Sequence, residues 1–363
     1  MSERKYWVGF SLVKGIGPVR VRQLLECFGT LGEAWRAAPD DLSAAGLDRR
    51  ALNSLIETRQ RVDLDAELAR LDKLGIAVLT WEDEDYPRLL ANLRSIDHAP
   101  PVLYLRGSLA ETDEWSLAVV GTRRATPYGR QVTHQLAGEL AANGLTIVSG
   151  LARGLDAEAH QAALAAGGRT IAVLPCGLDT IYPPEHRRLA ADIMQSGAVM
   201  TMFPLGTKPV APNISARNRL ISGLARGVLV TEAGEKSGAL ITARHALEQG
   251  REVFAVPGNI TTSGSIGTNQ LIQDGAHPVL SVQDVLDVLN LERVAAYADA
   301  RENLPAVNDD ERAVLASLGA EPLHIDELVQ RCGLAVHAAN SALVMLELKG
   351  MVRQVGPMTY VRA

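Results

Sequence analysis

The sequence predicts an α/β protein: a doubly wound, mostly parallel sheet, with a small helical domain before it and a winged helix after it. Three observations predict this. From residue 117 to residue 256, short apolar runs alternate with stretches of helical period, as parallel strands joined by crossover helices require. Residues 1–65 carry helical periods interrupted by glycine turns. Residues 309–363 read as three helices and a hairpin. Four parts follow: a helical domain over 1–65, a sheet domain over 66–290, a linker over 291–308 and a winged helix over 309–363.

In the first part, Lys14-Gly15-Ile16-Gly17-Pro18 sits between apolar helical segments, with Val21, Leu24, Leu25 and Phe28 following at helical spacing. Helix, glycine hairpin, helix is the helix-hairpin-helix pattern, whose turn can offer backbone N–H groups to a DNA phosphate. A turn used for packing or protein docking explains the same residues and is favoured. Gly46-Leu47 before Arg49–Arg61 reads as a second, degenerate hairpin. Over 66–115, Leu68, Leu71 and Leu74 suggest a helix closed by Gly75, and Ile76–Thr80 and Val102–Leu105 suggest strands. The acidic run Glu82-Asp83-Glu84-Asp85 reads as a solvated turn; it has no His or Cys, and four consecutive carboxylates cannot all converge.

Residues 117–160 organise the chain. Leu117–Val120 is an apolar run of strand length. Val132, Leu136 and Leu140 give helical spacing within Tyr128–Ala142, and Asn143-Gly144 ends that helix. Leu145–Val148 is a second short strand. Such a βαβ unit binds ligands beyond the carboxyl ends of its strands. Those ends read Gly121-Thr122-Arg123-Arg124 and Ser149-Gly150-Leu151-Ala152-Arg153. Glycine turns present backbone N–H groups to anions, and arginine adds a planar fork for phosphate. Two such turns in register favour a phosphate site over mere tight turns. The dinucleotide pattern G-x-G-x-x-G is missing, as is the P-loop. An ordinary nicotinamide enzyme or ATPase is therefore disfavoured.

The alternation continues. Thr170–Leu174 is a strand, a helix starts near Ile181-Tyr182-Pro183-Pro184, and Ala198–Phe203 is a further strand. Arg217-Asn218-Arg219 opens a helix running to about Gly223. Gly227–Thr231 is a strand, Ser237-Gly238 precedes a helix over Ala239–Gln249, and Glu252–Val256 is the last clear core strand. In the winged helix, Arg312–Leu318, Ile325–Arg331 and Val336–Leu348 are the helices, and Val352–Val355 and Thr359–Val361 the wing. Its recognition helix offers only His337, Asn340, Ser341 and Lys349. With 5 Lys+Arg against 7 Asp+Glu in 309–363, protein docking is favoured over duplex reading, which needs a basic face.

Composition is that of a globular protein: 47% hydrophobic, 21% charged. No apolar run reaches membrane-spanning length, and MSERKYWVGF lacks the features of a signal peptide. Cys27, Cys176 and Cys332 form no metal-spacing motif, so a reduced cytoplasmic setting is expected and neither metal nor cofactor is implied. The net charge of −6 argues against a protein coated in nucleic acid. Its distribution matters more. Residues 116–276 hold 14 Lys+Arg against 11 Asp+Glu, and the rest holds 22 against 31. A locally basic sheet in an acidic chain fits a local anionic ligand.

Taken together, these motifs resemble the DNA-processing protein A (DprA, or Smf) family. The resemblance covers nearly the whole chain and is most specific over 76–280. It is carried by GIAVLTWEDEDYP, PPVLYLRG, AVVGTRRATPYG, IVSGLARGLDAEAH, TIAVLPCGLDTIYPPEH, RNRLISGL, EAGEKSGALITA, REVFAVPG and GTNQLIQDGA. The resemblance implies an extended Rossmann domain behind a sterile-alpha-motif-like helical domain. It implies a homodimer, not an enzyme, that binds single-stranded DNA and loads the recombinase RecA onto it during natural transformation. By resemblance Arg123, Ser149-Gly150, Arg217-Asn218-Arg219 and Ser237-Gly238 line the phosphate pocket. With Gly121, Thr122 and Arg153 of the two turns, and Lys208, they make the expected single-strand contacts. Asn269, Leu271 and Ile272, within 269–276, fall in the dimerisation region. Three departures stand out. Thr201-Met202 replaces a usual Ser-Glu pair. Ile214-Ser215 replaces a usual Phe-Pro, so base stacking worth ~1–3 kcal/mol is lost there. Lys208 is the nearest match to a usual basic residue. Phosphate contacts are thus better supported than base contacts, and aromatics are few: four Phe, four Trp and seven Tyr.

Two other classes compete. A phosphoribohydrolase-type nucleotide enzyme would carry P-G-G-x-G-T-x-x-E, absent from Glu232–Gly238. Asp156 and His160, at i and i+4, could form an acid–base pair; a helix-start carboxylate and a packing histidine are favoured. A nucleotide-sensing adaptor would prefer mononucleotides to oligonucleotides.

Overall fold

A computed structural model of the chain describes residues 3–290, 308–319, 323–348, 351–356 and 358–362. The linker expected over 291–308 lies outside the described residues but for Asn308, and Lys349 lies outside them too. The chain divides into two compact units, Met1–Leu289 and Asn290–Ala363.

The first unit is built on nine strands: β1 (Ala77–Thr80), β2 (Val102–Gly107), β3 (Ser116–Val120), β4 (Thr146–Ser149), β5 (Thr170–Val173), β6 (Ala198–Thr201), β7 (Gly227–Val230), β8 (Glu252–Ala255) and β9 (His277–Pro278). Their order is β1-β2-β6-β5-β4-β3-β7-β8-β9. Strands β3 to β9 pair in parallel. Strand β2 runs antiparallel to both β1 and β6, so the segment expected to lead into the sheet instead extends its edge. The two residues of β9 carry too short a pattern for sequence periodicity to register.

Strands β2, β5 and β6 divide their side chains between two apolar layers, because successive residues point to opposite faces. Val102, Tyr104, Ala172 and Val199 join one cluster; Leu103, Leu105, Ile171, Val173, Ala198 and Met200 join the other. The first layer also takes in Trp7, Phe10, Leu24 and Leu55 from the N-terminal helices, and Ser11 Oγ lies 2.6 Å from Tyr104 Oη. The glycine hairpin joins helices Arg4–Ser11 and Pro18–Phe28 with Gly15 at φ 85°.

Two expected boundaries move. The helix placed at Arg217 begins at Ala211 and ends at Gly223, with Pro212 in its first turn, where a missing N–H costs no bond. Arg217 and Asn218 thus sit within the helix rather than at its mouth. Strand β6 stops at Thr201 rather than Phe203: Thr201 Oγ1 accepts from Phe203 N at 3.2 Å and donates to Leu174 O at 3.0 Å, turning the chain.

In the second unit, helices Asp309–Ser317, Ile325–Cys332 and Val336–Leu348 pack with a three-stranded sheet of Leu323–His324, Val352–Gly356 and Thr359–Arg362. Val314, Leu328, Leu343, Leu346, Val352 and Tyr360 form its core. This is the expected winged helix.

Candidate nucleic-acid interface

The chain leaves β3 toward β4, runs outward to β6, and returns to β7 on the other side of β3. That reversal makes a topological switch point, where crevices open at the carboxyl edge of a parallel sheet. A cavity of about 440 Å³ lies there. Its walls come from Gly121–Arg124 after β3, Ala152 and Asp156 after β4, Ile214, Arg217 and Asn218 of the Ala211–Gly223 helix, and Ser237-Gly238 before the Ala239–Glu248 helix.

The turn after β3 is anchored at both ends. Thr122 N donates to Glu232 O at 2.8 Å, and Thr126 Oγ1 donates to Glu232 Oε2 at 2.8 Å. Thr126 also caps the Pro127–Ala142 helix by accepting from Gly129 N at 3.0 Å. A Cβ on Gly121 would fall 2.5 Å from Leu155 Cδ1, so glycine lets the turn press against the next helix. Between the anchors, Arg123 and Arg124 are exposed. Neither side chain has a hydrogen-bond or ion-pair partner among the described residues.

Arg217 is held differently. It is 3% exposed, donates from Nη1 to Val173 O at 3.3 Å, and places Nη1 3.9 Å from Asp156 Oδ2. A Cβ at position 150 would lie 1.4 Å from Arg217 Nη1, so Gly150 is required for the guanidinium to reach its place. Burial pulls the Arg217 pKa down while Asp156 pushes it up. Burial likewise raises the Asp156 carboxyl, with Arg217 opposing. Asp156 offsets part of the cost of burying Arg217, but burial remains the larger influence on its charge, and Arg217 Nε is buried with no hydrogen-bond partner among the described residues. The exposed charge at the cavity belongs to Arg123 and Arg124.

The other expected contacts divide. Asn218 lines the cavity and reaches Gly238 O at 3.4 Å. Arg153 lines an adjoining notch with Arg123 and Gly150, paired to Glu185. Ser149 is buried and lines neither: its hydroxyl donates to Val119 O at 2.6 Å. Arg219 also lines neither, since neighbouring helical residues point about 100° apart, and its charge instead bears on His98 and Glu248. Lys208 is exposed, outside both cavities.

Asp156 and His160 do not act as a pair. Asp156 faces Arg217, while His160 is fully buried with Nδ1 2.6 Å from Thr170 Oγ1. Burial, with Arg217 and His186 adding, holds its pKa down at about 3. Glu232, 5% exposed, anchors the turn after β3, and the sequence signals it only as an acid following a core strand.

The family model for DNA recombination-mediator protein A matches residues 77–290, more than half the chain. The chain belongs to the DprA family. A model of the DprA winged helix domain matches residues 298–356. Protein Smf of Synechocystis is 36% identical over 398 residues, covering 99% of each chain. Protein Smf of Escherichia coli is 41% identical over 309 residues, covering 83% of this chain and 81% of its own. Among solved structures, DNA processing protein A of Streptococcus pneumoniae is similar at TM-score 0.68 and 35% identity, covering 79% of this chain and 98% of that one. DNA processing protein A of Helicobacter pylori, solved for its single-stranded DNA binding mode, is similar at TM-score 0.53 and 34% identity, covering 60% of this chain and 96% of that one.

The region expected to dimerise lies on helix Ile266–Gln273. Asn269 clamps the turn after β8, accepting from Gly258 N at 3.1 Å and donating to Gly258 O at 3.0 Å. Leu271 packs against the sheet's second apolar layer. Ile272 is half-buried. Among the described residues, no helix is long and apolar enough to cross a membrane.

Proposed function

We propose that this chain binds single-stranded DNA by its phosphates at the carboxyl edge of the sheet and loads RecA onto the bound strand. The observation that carries the reading is the switch-point cavity with Arg123 and Arg124 free on an anchored turn. Neutralising phosphate charge supplies most sequence-independent affinity, and among the described residues neither side chain has a hydrogen-bond or ion-pair partner. The Helicobacter pylori relative, named for its single-stranded DNA binding mode, supports the ligand. Thr122, Asn218, Ser237 and Gly238 complete the lining, and Gly150 serves by making room for Arg217. Arg153 extends the basic wall. Ser149 and Arg219 hold the scaffold.

A homodimer fits the apolar residues left exposed around the Ile266–Gln273 helix, namely Ile260, Ile266 and Leu280, with Ile272 beside them. In this reading a dimeric mediator in the cytoplasm hands the bound strand to RecA.

Gel shifts with single- and double-stranded oligonucleotides across salt test the reading. Preference for the single strand is expected, with log affinity falling against log salt by ~0.7 per phosphate neutralised. Equal affinity for the two forms sinks it. Co-precipitation with RecA, dependent on the strand, tests the loading step.

A further inference from the structure

Beside the phosphate cavity lies a narrower notch of about 30 Å³, sharing with it Arg123, Ile214 and Arg217. Tyr182 forms one of its walls, and among the described residues no other aromatic lines either cavity. Tyr182 is partly buried, packed against the first apolar layer, and the part left open lines the notch. It is therefore held in place without being hidden. Arg153, tethered to Glu185, stands at the same notch.

We infer that Tyr182 is a nucleobase platform: a base of the strand whose phosphate occupies the neighbouring cavity stacks on the exposed side of its ring. The inference rests on the proposed phosphate site and adds the base contact to it. A notch of this volume admits about one or two waters, so the base lies across the mouth rather than inside. Stacking needs only one open ring face, and it tolerates every base because each has a π-face. A ring already packed against the apolar layer loses little side-chain freedom on binding. Ile214, on the shared wall, gives an aliphatic edge for the same base.

The test compares an oligothymidine strand with a strand of the same length carrying abasic residues, on the parent, Tyr182→Phe and Tyr182→Leu. Tyr182→Phe keeps the ring, and Tyr182→Leu keeps apolar bulk in the layer. For oligothymidine, Tyr182→Leu is expected to weaken binding roughly fivefold to a hundredfold, while Tyr182→Phe stays near the parent. On the abasic strand all three proteins should bind alike, with the same salt slope. Equal loss on both strands, or no loss on either, overturns the inference. Photocrosslinking of the unaltered protein to an oligonucleotide carrying 5-iodouracil is the second measurement. A crosslink at Tyr182 is expected, and crosslinks confined elsewhere overturn the inference even if Tyr182→Leu fails to fold. Arg123→Ala separates the two levels. If it weakens both strands while position 182 matters to neither, only the base platform falls. If it weakens neither, the phosphate site falls.

Discussion

Arg123 and Arg217 reach one cavity from different elements and are held in opposite ways. Arg123 leaves an anchored turn and stands in solvent with no hydrogen-bond or ion-pair partner among the described residues. Arg217 is buried within a helix, facing Asp156 and packed against Gly150. The same residue type thus does two jobs. In water a guanidinium costs the fold little and remains available to a phosphate. Buried, it must be answered by a carboxylate and a carbonyl, and what it then contributes is the shape of the cavity floor. Arginines in the motif are therefore not interchangeable evidence of ligand contact.

The largest expected effect breaks the buried half of that comparison. Asp156→Ala leaves Arg217 uncompensated and should destabilise the fold by about 3–5 kcal/mol. Denaturant unfolding would read it, and a loss under 1 kcal/mol would mean that the pair is as weak as a surface one. Arg123→Ala should leave the same unfolding curve unmoved.

Acid comes next. The folded-state pKa of His160 is depressed to about 3 from 6.5, so the ring stays neutral in the fold. Its share of stability is whole above pH 6.5 and is lost as the pH falls from 6.5 toward 3, because only the unfolded chain then takes up the proton. Between about pH 7 and about pH 4.5 that loss is on the order of 2–3 kcal/mol. His160→Gln should remove this share of the acid sensitivity. Parallel stability–pH curves for parent and variant would refute it.

Arg123→Ala tests the exposed half. It should weaken single-strand binding by ~1.5–3 kcal/mol, roughly ten- to over a hundredfold, and lower the salt slope by about 0.7. Arg123→Lys should recover part, keeping charge without the fork, and Arg124→Ala should cost less. A folded Arg123→Ala protein binding as the parent does removes the turn from the site.

The smallest effect sharpens the role of the anchor. Thr126→Ala removes a helix cap and one hold on Glu232, costing about 1 kcal/mol of stability. If the anchored turn presents Arg123, binding should weaken in step; unchanged binding would show that the turn holds its arginines without Thr126.

Much of the fold is legible in the sequence. Apolar runs at strand length, glycine at each strand end and helical spacing between them determine a parallel sheet, because only that architecture buries such runs on both faces. Placing the ligand at the turns after β3 and β4 follows from the same logic. The family likeness added residues from distant elements, but as motifs they carry no directions. Tertiary structure decided those. Arg217 and Arg219 are two apart in one motif, yet helical rotation sends one into the cavity and the other toward His98 and Glu248. Ser149 sits in a promising turn, yet its hydroxyl is taken by Val119 across the sheet. Tyr182 reads as the start of a helix, yet the α-helix begins only at Arg187, and folding sets Tyr182 beside Arg123 and Ile214. Local pattern selects elements because propensity and burial act over neighbouring residues. Which side chain is free, paired or paired only on folding depends on partners far along the chain, and those are known only once the sheet has brought them together.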